Sequence, residues 1–180
     1  NLILNPGFET GTIPTAFDQV SYATNWSKGC GRTLSTFPPG ATNPGTPDLF
    51  DKRTTDCSID IPTNKWSNIV DHFTPAGNRY AGMAGGYITS GAYTGPYYGE
   101  TVRGTLSQPL TSSRCNYMVQ ARVAGISGTK GDPGCGTLST REPSTFNRLE
   151  IVLRKDNDCS LEKIAYTSTN ITSTNWTLVS

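Results

Sequence analysis

Short stretches of alternating apolar and polar residues, cut at close intervals by glycine and proline, constrain this chain more than any other feature. Cys115 to Ala124 (CNYMVQARVA) places Tyr117, Val119, Ala121 and Val123 on one face, and Asn147 to Lys155 (NRLEIVLRK) alternates through Leu149, Ile151 and Leu153. A period of two is the pattern of a half-buried strand. Thr101 to Leu110, Lys163 to Thr169 and Asn175 to Val179 read the same way, and Asn1 to Glu9 (NLILNPGFE) reads as a short apolar strand, a proline-glycine turn and an anchoring Phe8. From Arg79 to Glu100 aromatic residues recur between glycines, which predicts short strands joined by tight turns. No segment has the pattern of an amphipathic helix. The expected fold is therefore all-β, a sandwich or barrel of antiparallel strands. The segment 115–124 is expected to pair with 147–155 across the glycine- and serine-rich loop from Ile126 to Phe146, with Gly125 near Asn147.

The chain has 180 residues, which suits a single domain spanning 1–180. Lysine plus arginine (15) nearly balances aspartate plus glutamate (14), so no net field draws the protein to nucleic acid or to an anionic membrane. The charged fraction of 16%, with 19 glycines and 12 prolines, is the composition of an exported β-protein. No run reaches the roughly 18 apolar residues of a membrane span. Because the chain opens at Asn1 in strand-like sequence, it is expected to be a mature, extracellular form.

Five cysteines, Cys30, Cys57, Cys115, Cys135 and Cys159, lie far apart without the C-x-x-C spacing of a zinc site, and the chain holds one histidine. Disulfides are the expectation. Cys30 and Cys57 bracket much of the loop-rich stretch 10–63, where closing a long loop removes most unfolded-state entropy. The expected strand register brings Cys115 beside residues 157 to 159, a geometry compatible with a Cys115 to Cys159 bridge that would leave Cys135 over.

Catalytic chemistry finds little to build on. His72 is the single imidazole, and no G-x-S-x-G motif accompanies it. Glu9, Asp48, Asp51, Glu100 and Glu150 are the acids a glycosidase reading would nominate, but their spacing selects no pair. Aromatic side chains in turn-rich sequence, Trp66, Tyr87, Tyr93, Tyr97 and Tyr98, are the candidates for a sugar platform, because pyranose C–H faces stack on flat π-surfaces. Tyr80, Tyr98 and Trp176 also fit core positions. Three N-x-[ST] sequons stand at Asn25, Asn170 and Asn175 and are possible glycosylation positions.

Several blocks carry a family resemblance across nearly the whole chain: NLILNPGFE, GTPDLFD (45–51), IPTNKWS (61–67), PAGNRYAGM (75–83), YYGETVRGTLSQPLTSS (97–113) and NWTLVS (175–180). In this order they resemble the carbohydrate-binding-module-like jelly rolls of secreted and surface proteins in polymer-degrading, gliding-type Gram-negative bacteria. The resemblance implies a jelly-roll sandwich of two antiparallel sheets. It also implies two strands beyond NWTLVS, the last closing the sheet beside the first, so the domain is expected to lack its final strands within this chain. A neighbouring polypeptide would then supply a strand by β-addition. A structural calcium held by Glu9 is a further implication, its partner aspartate falling in the missing strand.

The function expected from these observations is an extracellular, non-catalytic surface module that binds polysaccharide or cell-surface glycan, or acts as an adhesin. Two alternatives stand beside it. One is a structural subunit of a fibre or surface layer that accepts a neighbour's strand. The other is a catalytic or accessory domain of a polysaccharide hydrolase.

Overall fold

A computed structural model describes residues 1–29, 46–61, 69, 71, 77–83, 85–88, 95–111, 117–125, 128–130, 139–141, 149–154, 162–167, 171 and 173–180. Its regular elements are strands apart from one turn of 3-10 helix, Val20–Tyr22. The described strands are β1 (Trp26–Lys28), β2 (Asp48–Asp51), β3 (Arg79–Gly82), β4 (Gly85–Ile88), β5 (Gly95–Gly99), β6 (Val102–Gly104), β7 (Ala121–Val123), β8 (Gly128–Lys130), β9 (Ser139–Arg141), β10 (Glu150–Arg154), β11 (Glu162–Thr167) and β12 (Thr177–Val179). The fold is all-β. Every described pair is antiparallel: β1 with β6, β2 with β3, β4 with β5, β7 with β12, β8 with β9 and β10 with β11. Among the described residues no helix is long and apolar enough to cross a membrane.

The core gathers around β2 and β3. Leu49 and Ile59 are fully buried, and Phe50, Ile59, Ile61 and Tyr80 form one apolar cluster, flanked by Phe17, Ile69 and Trp176. Burying a Leu or Ile side chain of this kind contributes about 1.5 to 3 kcal/mol. Phe50 and Tyr80 are Cα partners across the ladder, and their rings stack with centroids 4.9 Å apart. Tyr80 in turn meets Trp176 edge-on at 5.8 Å, so the residue that leads into β12 packs on the core of β2 and β3. Gly82 makes this possible, since a Cβ at that position would stand 2.3 Å from the Phe50 ring.

The opening segment departs from expectation. It is not a strand: Ile3 forms a single bridge with Leu106, backed by Leu4 N–H to Thr105 O (3.0 Å) and Ser107 N–H to Leu2 O (2.7 Å). The backbone then coils because Asn5 (φ 50°) and Phe8 (φ 61°) adopt left-handed conformations that no strand tolerates. The Asn5 side chain stabilises this turn. Its amide donates to the carbonyls of Thr10 (3.0 Å) and Thr24 (2.9 Å), and its oxygen accepts the Thr10 N–H (3.0 Å). Trp26 closes over the turn, donating Nε1–H to Asn5 O at 2.7 Å and meeting Phe8 in a tilted contact with centroids 4.2 Å apart.

The central pairing expectation is also corrected. Among the described residues β7 pairs with β12, Leu178 opposite Arg122, while β10 pairs with β11. Gly125 lies beside Ile171 and Ser173, donating its N–H to Ser173 O at 2.7 Å, while Asn147, its expected neighbour, lies outside the described residues. Two physical reasons account for this. Strands β10 and β11 are joined by the short connection 155–161, so their pairing closes a small loop. The segment 126–146, expected to be loop, contributes the β8 and β9 pair. Alternation holds within 119–123, with Val119, Ala121 and Val123 half-buried and Gln120 and Arg122 exposed, but Tyr117, expected on the same face, is exposed.

Candidate functional site

Two polar clusters and one aromatic hairpin account for the candidate residues. The first cluster lies at the end of β2 and β3 where Asp51 and Arg79 are Cα partners. Both side chains are fully buried, and Arg79 Nε–H donates to Asp51 Oδ2. The remaining guanidinium donors reach the carbonyls of Phe8 (3.3 Å), Gly11 (3.5 Å) and Thr12 (2.9 Å). Arg53 takes the other side of Asp51 in a bidentate clasp, Nε to Oδ1 at 2.9 Å and Nη2 to Oδ2 at 2.8 Å. Burial works against the Asp51 charge, but hydrogen bonds from Arg53 and then Arg79 outweigh it and hold the carboxyl below its ordinary range. The Arg53 guanidinium is held more firmly protonated, chiefly by its hydrogen bond to Asp51.

Glu9 completes this cluster from the opening segment. Its Oε1 accepts the backbone N–H groups of Asn78 (2.8 Å) and Arg79 (3.2 Å), and its Oε2 accepts the Asn78 side-chain amide (3.2 Å). The Arg79 N–H also faces buried Asp71 at 3.2 Å. The carbonyls of Phe8, Gly11 and Thr12 and the Asp51 carboxylate accept from the Arg79 guanidinium. Among the described residues no group of three or more His, Cys, Asp or Glu is arranged to hold a metal ion. The cluster ties the opening segment to β2 and β3.

The second cluster sits at the other end of β2. Asp18, in a left-handed conformation (φ 67°), donates its backbone N–H to Asp48 Oδ1 at 2.6 Å. Lys28 Nζ spans the Asp18 carboxylate, 2.5 Å from Oδ1 and 2.7 Å from Oδ2. Glu100, at the end of β5, accepts from both Thr46 N–H (3.1 Å) and Thr46 Oγ1–H (3.2 Å). Burial is the main reason that the Asp48 carboxyl is pushed up to about 6; the Asp18 amide opposes this, and the charges of Glu100 and Asp18 add to it.

The third feature is the β4 and β5 hairpin. Its backbone carries Tyr87, Tyr97 and Tyr98, with Tyr87 opposite Pro96, Tyr98 opposite Gly86, and a bulge between Gly86 and Tyr87. Tyr93 belongs to the connection 89–94 and, like Trp66, lies outside the described residues.

Other expected positions are distributed through the molecule. Cys57 is disulfide-bonded, while Cys30, Cys115, Cys135 and Cys159 lie outside the described residues. The register on which the Cys115 to Cys159 pairing rested is not the observed one. Asn25 and Asn175 are exposed in turns before β1 and β12, and the hydroxyls of both sequons are engaged, Ser27 Oγ by Arg103 Nε–H (3.1 Å) and Thr177 Oγ1 by Asn175 O (3.2 Å). Asn170 and His72 lie outside the described residues, and Glu150 begins β10. Sequence reasoning did not single out Arg79, Asp18 or Lys28. For Arg79 the available signal was a cation set into an otherwise apolar strand, RYAG, which demands a buried counter-charge.

No protein-family model, no curated protein and no solved structure matches the chain.

Proposed function

We propose that this chain is an extracellular, non-catalytic surface module of jelly-roll type that binds glycan through the tyrosines of the β4 and β5 hairpin. The observation that carries the reading is the placement of Tyr87, Tyr97 and Tyr98 on one antiparallel pair whose connection holds Tyr93. Concentrating aromatic residues on one hairpin is what a platform for pyranose rings requires. The carboxylates Glu9 and Asp51 are committed to amide and guanidinium partners inside the fold, which favours a binding role over hydrolysis. The jelly-roll assignment draws support from the long-range pairings of β1 with β6 and β7 with β12, which skip intervening strands as Greek-key connections do.

Affinity electrophoresis through gels containing plant, algal or bacterial polysaccharides tests this directly. The chain should be retarded in at least one gel, and Tyr93→Ala or Tyr97→Ala should abolish the retardation while leaving the melting temperature in place. Free migration in every gel sinks the reading.

A second reading, a structural subunit that accepts a strand from a neighbour, is favoured by β12. Among the described residues this strand, like the other described strands, pairs on one edge only, and its Leu178 is half exposed. An open edge invites pairing with another chain. Polymers in size-exclusion chromatography, converted to monomer by a strand-like peptide, would support it; a monomer whose melting temperature ignores the peptide would not.

A further inference from the structure

The register of the β4 and β5 hairpin divides its tyrosines between two faces. Residues opposite each other in an antiparallel pair share a face, and neighbours along a strand alternate between faces. Gly85 with Gly99 and Tyr87 with Pro96 therefore stand on one face, and Gly86 with Tyr98 and Ile88 with Gly95 on the other. Tyr97 is the extra residue of the bulge, skipped between the partners of Gly86 and Tyr87. Proline accounts for the bulge, because it has no N–H to give a ladder and is tolerated in strands at bulges and edges. Without the bulge Tyr97 would oppose Tyr87; with it, Pro96 takes that place.

Ile88 tells the two faces apart. It is the one branched aliphatic residue of the two strands, and an antiparallel pair turns its aliphatic side to the core and its other side to solvent. Tyr98 shares the Ile88 face, whereas Tyr87 and Pro96 share the opposite one with Gly85 and Gly99. Glycine in a strand leaves the backbone open to close approach by a ligand. We propose that the Tyr87 and Pro96 face of the hairpin is the glycan site, that Tyr98 belongs to the core side and takes no part in it, and that the ligand is a single soluble polysaccharide chain rather than a crystalline polymer surface. The ligand class follows from the spacing. Opposed residues of an antiparallel pair lie about 5 Å apart, which seats one pyranose ring at a time. A crystalline surface demands several coplanar rings, and the register sets Tyr98 on the other face from Tyr87. This assignment rests on the glycan reading and narrows it.

Affinity electrophoresis of variants that keep apolar bulk but lose the ring tests the assignment. Tyr87→Leu should weaken binding of the soluble polysaccharide that retards the wild-type chain by about tenfold or more, whereas Tyr98→Leu should stay within about twofold of wild type while its melting temperature falls. Microcrystalline cellulose and chitin should leave the wild-type chain in the supernatant. Nitration of the wild-type chain with tetranitromethane, located by fragment-ion mass spectrometry, gives a reading free of any folding defect. Tyr87 should be nitrated and should be protected by the bound polysaccharide, and Tyr98 should resist nitration in both states. Protection of Tyr98 in place of Tyr87, loss of binding in a folded Tyr98→Leu chain, or adsorption to either crystalline polymer overturns the assignment and leaves glycan binding itself standing. Free migration of the wild-type chain in every gel removes the glycan reading and this site with it.

Discussion

Asp51 and Arg79 face each other across β2 and β3, both fully buried, and through Arg79 the carbonyls of Phe8, Gly11 and Thr12 are drawn onto the same strand pair. Removing one partner from such a pair strands a charge in the interior. Arg79→Met should therefore destabilise the chain by about 3 to 5 kcal/mol, measured by denaturant unfolding. Loss should be smaller for Arg53→Met, because that side chain is partly exposed (39%) and Asp51 would keep Arg79.

The same carboxylate sets an acid limit. Since the folded state holds the Asp51 carboxyl below its ordinary 3.8, its stabilisation is present above that value and is lost as pH falls below it. Asp48 has the opposite slope, adding stability between about 6 and 3.8. Melting temperature should consequently rise from pH 7.5 towards pH 4 and then fall. Asp48→Asn should remove the rise, and Asp51→Asn should remove the part of the fall that Asp51 causes.

Glycine at two positions is demanded by close approach. A Cβ on Gly11, where φ is 132°, would sit 1.9 Å from Tyr22 O, and one on Gly82 would strike the Phe50 ring. Gly82→Ala should cost about 1 to 3 kcal/mol by overpacking. Gly11→Ala should cost more, because the obstacle is backbone and the conformation itself disfavours a side chain. Thermal melts that place Gly11→Ala above Gly82→Ala in stability would contradict this ordering.

Glu9 secures two backbone N–H groups, so Glu9→Gln, which weakens the acceptor, should cost about 1 to 2 kcal/mol. Because the Glu9 carboxylate is held by the Asn78 and Arg79 amides and shares its charge with the nearby Arg53 guanidinium, chelation with EDTA should leave the melting temperature of the wild-type chain unchanged. A fall on chelation, restored by calcium and absent in Glu9→Gln, would instead assign Glu9 to a metal.

Reduction of the Cys57 disulfide should destabilise the fold by about 2 to 4 kcal/mol. Five cysteines cannot all pair within one chain. Alkylation of the unreduced monomer, read by intact mass, should label an odd number of thiols and leave Cys57 unlabelled.

Several strands were legible because their residues report local geometry. The alternation in NRLEIVLRK, in the 163–169 segment and in NWTLV located β10, β11 and β12, and the glycine-spaced aromatics located β3 to β5. The apolar start of NLILNPGFE misled because Leu2, Ile3 and Leu4 resemble a strand, whereas the left-handed turns at Asn5 and Phe8 are held by hydrogen bonds to Thr24 and by contact with Trp26. Those partners are remote in sequence, so alternation carries no trace of them.

By itself the sequence determined the all-β class, the approximate places of β10, β11 and β12, and the concentration of tyrosines between residues 87 and 98. Periodicity and turn chemistry act over a few residues and are written directly in the chain. Only the tertiary structure decided that β7 meets β12, that Arg79 is buried against Asp51, and that Asp18, Asp48 and Glu100 share one corner. Strand partners and charge neighbours depend on which loops close and which groups lose water together, and those are properties of the folded whole.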